Sequence, residues 1–193
     1  MTTQNTAGRP VEPVGLPPFG ELLARCRRSV VHLEMRDTYT DPIEAERVAA
    51  WRAGHRDDPA DPASWWRPFH TDIAHTVARG VSVRRARVVS EPITEYVRFE
   101  YDITFQNLAA GEDVRWLPRR GASRLALPGN DFWLFDDHTI RWHYFAGDGT
   151  WLEDELDQDA AAVKLCAESF EAVWRLAIPH AAYTPGPGLS TGR

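Results

Sequence analysis

Lysine is almost missing from this chain. Lys164 is the one ammonium among its 22 basic side chains, and the rest are guanidinium groups. A GC-rich genome produces such a bias, and so does selection for planar, two-pronged contact with anions. Cysteine is scarce too. Cys26 and Cys166 stand far apart, which excludes a disulfide framework and a cysteine zinc cluster. No apolar run approaches the length of a membrane span. The opening residues 1–18, MTTQNTAGRPVEPVGLPP, lack the apolar core of a secretion signal. These absences predict a reduced, cytoplasmic protein with no membrane partner. The net charge of −6 and pI near 5.6 disfavour direct nucleic-acid binding, because phosphate contacts need a basic face. The sequence has no phosphate-binding glycine loop and no local Ser-His-Asp signature. His70 and His75 lie five apart, off the i, i+4 spacing of helical zinc sites. The acidic run LEDELDQDA (152–160) lacks the spaced ligands of a calcium loop and reads as charge at a helix N-terminus. No metal and no cofactor is therefore expected.

What the chain does have is core material: 43% hydrophobic residues, including eight tryptophans, over 193 positions. That suits one domain. The Pro- and Gly-rich ends at 1–18 and 184–193 read as flexible tails around a single α/β domain at 19–183. Helical spacing predicts helices at 19–28, 43–54, 65–80, 91–111 and 158–177, with Pro68 inside a first turn. Alternation predicts strands at 29–35, 81–90 and 112–119, and a hairpin, DFWLFD (131–136) with TIRWHYF (139–145), turning at Asp137-His138. Strands separated by helices argue for parallel pairing and the hairpin for antiparallel. The expected fold is a mixed, mostly parallel sheet with helices on both faces.

Several polar groups fall where a packed body should enclose them. His32 and Glu34 share a strand face beside Arg36 and Asp37. They could form a base and its orienter, or a solvated strand end. Arg84, Arg85 and Arg87 occupy a strand that should be largely buried, where guanidinium groups need partners. Glu91, Glu95, Glu100, Asp102 and Asp131 are candidate partners, giving either a structural network or an anion clamp. In EYVRFEYD, Arg98 and Asp102 are spaced as a helix-surface pair, and Glu100 lies well around the helix from Arg98, so one of the two should point inward. In PGNDFW, Asn130 and Asp131 either fix a turn or floor a polar pocket walled by Trp133 and Trp116. The candidate binding set is His32, Glu34, Arg36, Arg85, Arg98, Glu100, Asn130, Asp131 and Trp133, with no catalytic residue assigned. Tryptophans 51, 65 and 66 would suit a protein partner if exposed.

The element order and the hairpin resemble one half of a phospholipase D-like domain, whose motif is His-x-Lys-x(4)-Asp. Asp136 stands in the aspartate position, Asp131 in the lysine position and Gly129 in the histidine position. In that family the histidine attacks phosphorus and the lysine holds the phosphate oxygens. Gly129 cannot attack, and Asp131 would repel phosphate. The resemblance therefore implies a non-catalytic or repurposed domain. Degenerate members serve as effector-sensing parts of bacterial regulators, which implies a small polar or anionic ligand or a regulatory protein partner. The alternative is a transferase or hydrolase of specialised metabolism using the same charged pocket. The stretches VHLEMRD (31–37, with His32, Glu34 and Arg36), RRARVVSEPITEYVRFEYD (84–102), RWLPR (115–119) and PGNDFWLFDD (128–137) are similar to an uncharacterised actinobacterial family found near helix-turn-helix regulators, so such a regulator is an expected partner.

Overall fold

A computed structural model describes residues 15–40 and 42–186. Most of both tails predicted at 1–18 and 184–193 lies outside the described residues. The body is one seven-stranded sheet in the order β6-β5-β4-β1-β2-β3-β7. Its strands are β1 (Ser29–Glu34), β2 (Ser82–Val89), β3 (Asp113–Pro118), β4 (Asp131–Phe135), β5 (Thr139–Phe145), β6 (Trp151–Asp157) and β7 (Ile178–Pro179). The helices are α1 (Phe19–Arg25), α2 (Pro42–Arg52), α3 (Pro62–Trp65), α4 (Pro68–Ala78), α5 (Glu95–Ala109) and α6 (Ala160–Leu176).

The mixed α/β class is as expected, but the balance of pairing is reversed. β1-β2 and β2-β3 are parallel, while β1-β4, β4-β5, β5-β6 and β3-β7 are antiparallel. The hairpin joins β1 antiparallel, and two further strands lie outside the sequence reading. The acidic run after Trp151 forms β6 rather than the start of the last helix. It is an edge strand with no buried residue, so charge is tolerated there and alternation is weak. β7 has two residues, too few for any pattern. Similarly, the helix expected from residue 91 begins at Glu95, because Thr94 caps it by accepting from the Val97 amide at 3.1 Å.

Strand alternation divides the side chains between two faces. Val31, Leu33, Ala86, Val88, Phe132 and Leu134 pack under α6 against Phe170 and Val173. Arg84 belongs to that side too. Its guanidinium lies 5.0 Å from the Phe170 ring centre and pairs with Glu171 at 2.7 Å. The opposite face carries His32, Glu34, Arg85, Arg87, Asp131 and Trp133 from three neighbouring strands, with α1, α4 and α5 on that side. One period-2 rule thus collects most of the candidate polar residues on one surface.

The carboxyl ends of β1 and β2 open toward residues 36–40. That segment is pinned to the β5–β6 turn, where the Thr40 amide donates to the Gly149 carbonyl at 2.9 Å. Gly149 has φ +88°, and a Cβ there would sit 2.9 Å from the Thr38 carbonyl oxygen, so the turn requires glycine.

Candidate functional site

The polar residues of the sheet face form a closed ion-pair platform. Glu34 stands between two arginines. Arg85 donates Nη1 to Glu34 Oε1 at 2.5 Å and Nε to Glu112 Oε1 at 2.7 Å. Arg87 donates to Glu34 Oε2, pairs with Glu100 through Nη2, and reaches Thr104 Oγ1 at 3.1 Å. Asn107 adds a bond to Glu112 Oε2 at 2.7 Å. Burial alone would neutralise Glu34, but the Arg87 and Arg85 charges outweigh it and hold the carboxyl well below its usual range. All five charged groups are buried or nearly so, and each has its counter-charge within the body.

His32 lies at the margin of this platform. Its ring stacks on Trp133 with centroids 3.9 Å apart, and neither ring nitrogen makes a hydrogen bond, the Glu34 carboxylate standing 3.5 Å from Nδ1. Burial, reinforced by Arg85, drives its pKa well below the ordinary value, so the ring is neutral. With 6% of its surface exposed, it cannot meet a substrate as a base. Among the described residues Asp131 pairs with no arginine. It accepts from the Tyr39 hydroxyl and, at 2.9 Å, from the Met35 amide, while burial raises its pKa to about 6. Arg36 donates to the Ala146 carbonyl at 2.7 Å and lines a crevice with Tyr39, Tyr96 and Glu100. That crevice encloses about 10 Å³, the room of one water.

The expected set therefore divides. The sheet and α5 bring His32, Glu34, Arg85, Glu100 and Trp133 together, and Arg36 and Asp131 lie beside them. Arg98 and Asn130 do not join. Arg98 points away on α5 and donates to the Gly186 carbonyl at 3.1 Å, and its expected partner Asp102 instead accepts from Trp51 Nε1 at 2.8 Å. Asn130 sits half-exposed in the bend before β4 and makes no hydrogen bond to the cluster. Asp136, in the motif's aspartate position, anchors a turn. At φ 52° it accepts from the amides of Arg27, Arg28 and Ser29 at 2.8, 2.8 and 3.0 Å. Glu112, immediately before β3, is brought to Arg85 only by the β2–β3 pairing. Trp65 is buried and Trp66 only 36% exposed, so those tryptophans form no broad apolar patch.

Room for a ligand exists elsewhere. Between α2, the following loop and α5 lies a cleft of about 240 Å³. Arg47, Arg56 and Arg67 line it with Trp51, Phe99 and Phe105. Arg47 Nη2 and Arg67 Nη1 converge on one neutral acceptor, Gln106 Oε1, at 3.0 and 3.4 Å. The only warning of this site in the sequence was the general excess of arginine.

The family profile for a domain of unknown function, DUF6879, matches residues 17–185. The chain belongs to that family. No curated protein matches the sequence. Among the solved structures similar to this chain are two that follow. TrmBL2, an archaeal chromatin protein described as showing a novel mode of DNA binding, shares 14% identity over 82% of this chain and 48% of its own, with TM-score 0.44. Nuc from Salmonella typhimurium, a phospholipase D family member, shares 10% identity over 83% of this chain and 86% of its own, with TM-score 0.45. The DUF6879 chain spans about half the length of the archaeal protein. At such scores neither likeness carries an argument about activity or partners. No described helix is long and apolar enough to cross a membrane, and no group of three or more metal-ligating side chains occurs among the described residues.

Proposed function

We propose that this DUF6879 domain binds a small anion without transforming it. The observation that carries the reading is that Arg47 and Arg67, both lining a 240 Å³ cleft, converge on the single neutral oxygen of the buried Gln106. Such an arrangement leaves guanidinium donors for an incoming acceptor. The absence of chemistry is supported separately. The positions of the phosphodiesterase motif hold Gly129, a capped Asp131 and a turn-anchoring Asp136. His32, the best candidate base, is buried and neutral. The ion-pair platform then serves as the rigid base of the binding domain rather than as its pocket. Binding without turnover fits a sensing role, in which a partner such as a helix-turn-helix regulator would read the liganded state.

The test has two arms. Calorimetric titration with acetate, benzoate and inorganic phosphate should give binding by at least one anion, weakened by Arg67→Gln. Incubation with an activated phosphodiester should give no turnover. Turnover that disappears in His32→Ala would overturn the non-catalytic reading, and anion binding untouched by changes at Arg47 and Arg67 would move the site elsewhere.

A further inference from the structure

From the walls and charge balance of the cleft, and resting on the proposed anion-binding function, we infer that its ligand is an aromatic monocarboxylate. Its carboxylate would be held by Arg47 and Arg67, and its ring would lie among Trp51, Phe99 and Phe105.

Charge comes first. Among the described residues Arg47 reaches no carboxylate closer than the 3.9 Å to Asp57, and Arg67 makes no ion pair at all. Arg67 spends Nη1 on the Trp65 carbonyl at 2.7 Å and on Gln106. Burial and the Arg47 charge push its pKa below the usual arginine range, outweighing the opposing pull of Asp57 and Glu44. Two of the three acids of the cleft are committed to other donors. Asp57 accepts from Gln106 Nε2 at 2.6 Å and lies 3.2 Å from His55 Nε2. Asp102 accepts from Trp51 Nε1 at 2.8 Å and stands 3.6 Å from Arg56 Nε. Two parallel N–H donors on one planar cation match a carboxylate edge.

The number of charges then selects among anions. Three arginines and three acids (Glu46, Asp57 and Asp102) line the cleft, so its formal charge is zero. A single negative charge meets the nearest guanidinium groups without an excess of repulsion, whereas a phosphate dianion meets three carboxylates with its second charge. The apolar part of the ligand is selected by the walls. Trp51 and Phe99 meet edge to face at 6.1 Å and 73°, and Phe105 packs its edge on Trp65 at 5.2 Å. Arg56 lies 4.6 Å from the Trp51 ring centre and Arg47 5.6 Å from that of the buried Phe99, so a flat ligand would meet ring edges and the half-buried Phe105, with the guanidinium groups beside them.

Benzoate is the probe, with acetate, benzamide and inorganic phosphate as comparisons, titrated into the whole chain by calorimetry and by tryptophan fluorescence. Benzoate should bind at least about tenfold more tightly than acetate or phosphate, and benzamide, which keeps the ring but not the charge, should bind at least about tenfold more weakly. Arg47→Gln should weaken benzoate by a similar factor, while Arg52→Gln, on the same helix and paired outward with Glu95, should leave it unchanged. Trp51→Leu should remove the fluorescence change, which guards against misreading an Arg47 variant that folds poorly. Phosphate or acetate binding more tightly than benzoate, still dependent on Arg47, overturns the aromatic assignment and leaves the anion site standing. No binding by any of the three anions overturns both.

Discussion

The ion-pair platform and the cleft lie on either side of helix α5, and they use arginine in opposite ways. In the platform, Arg85 and Arg87 face Glu34, Glu100 and Glu112, and carboxylates take their polar edges. In the cleft, three arginines face as many acids, yet Asp57 accepts from an amide beside a histidine, Asp102 accepts from an indole, the nearest arginine–carboxylate approaches are 3.6 and 3.9 Å, and two guanidinium groups share one amide oxygen. Formal charge alone does not separate the two regions. Hydrogen-bond commitment does: a buried cation whose donors are all claimed stabilises a fold, and one whose donors remain open can select a ligand.

The sharpest way to break that contrast is to remove one arginine from each side. Arg87→Met should cost about 3–5 kcal/mol, because Glu34 and Glu100 would be left buried without their shared counter-charge. Arg47→Gln should cost under about 1 kcal/mol, since its side chain is part-exposed and makes no close ion pair. Urea unfolding of both variants measures the difference. Equal losses would mean that the cleft is as structural as the platform.

Asp131 supplies a pH test of the same face. Its pKa is about 6 in the fold and near 3.8 when unfolded, so between those values the folded state holds the extra proton. Stability from this group is therefore greatest below pH 4 and is lost as pH rises toward 6, by up to about 3 kcal/mol. Glu34 acts in the opposite sense, contributing stability above its ordinary pKa that is lost in stronger acid. Melting curves from pH 4 to 7 should show Asp131→Asn flattening the acid-side gain. An unchanged slope would place the titration on another group.

Gly149→Ala comes next in size. Its φ of +88° and the 2.9 Å approach of a Cβ to the Thr38 carbonyl should cost about 1–3 kcal/mol by displacing the segment that carries Tyr39. Loss of stability without loss of benzoate binding would confirm that this segment serves the platform and not the cleft.

The platform was partly legible in the sequence and the cleft was not, for a physical reason. Alternation places His32 and Glu34 on one face of β1 and Arg85 and Arg87 on one face of β2, so parallel pairing makes them neighbours. The angle between Arg98 and Glu100 on the helix implies that one of them turns inward without saying which; the structure turns Glu100 in. Asp131 was assigned to the wrong partner, because its capping hydroxyl comes from Tyr39, in a loop without a periodic pattern. The strand β6 was hidden by its own charge. The cleft depends on where α2 and the loop of residues 53–61 come to rest against α5, and no short-range spacing encodes that packing.

Thr94→Ala gives the smallest expected effect and the finest test of what fixes α5. The Thr94 hydroxyl accepts from the Val97 amide at 3.1 Å and donates to the Asp37 carbonyl at 2.6 Å. Its loss should cost about 1 kcal/mol, or roughly 2–4 °C in Tm for a chain of this size. Thr94→Ser, which keeps the hydroxyl, should recover most of that. Benzoate affinity should not move, because Phe99, Asp102, Phe105 and Gln106 stand on a helix already anchored by Glu100, Thr104 and Asn107 through the platform. If the alanine variant instead weakened benzoate about tenfold while melting near the parent temperature, the cap rather than the buried ions would set the position of α5. The two regions would then have to be treated as a single coupled site.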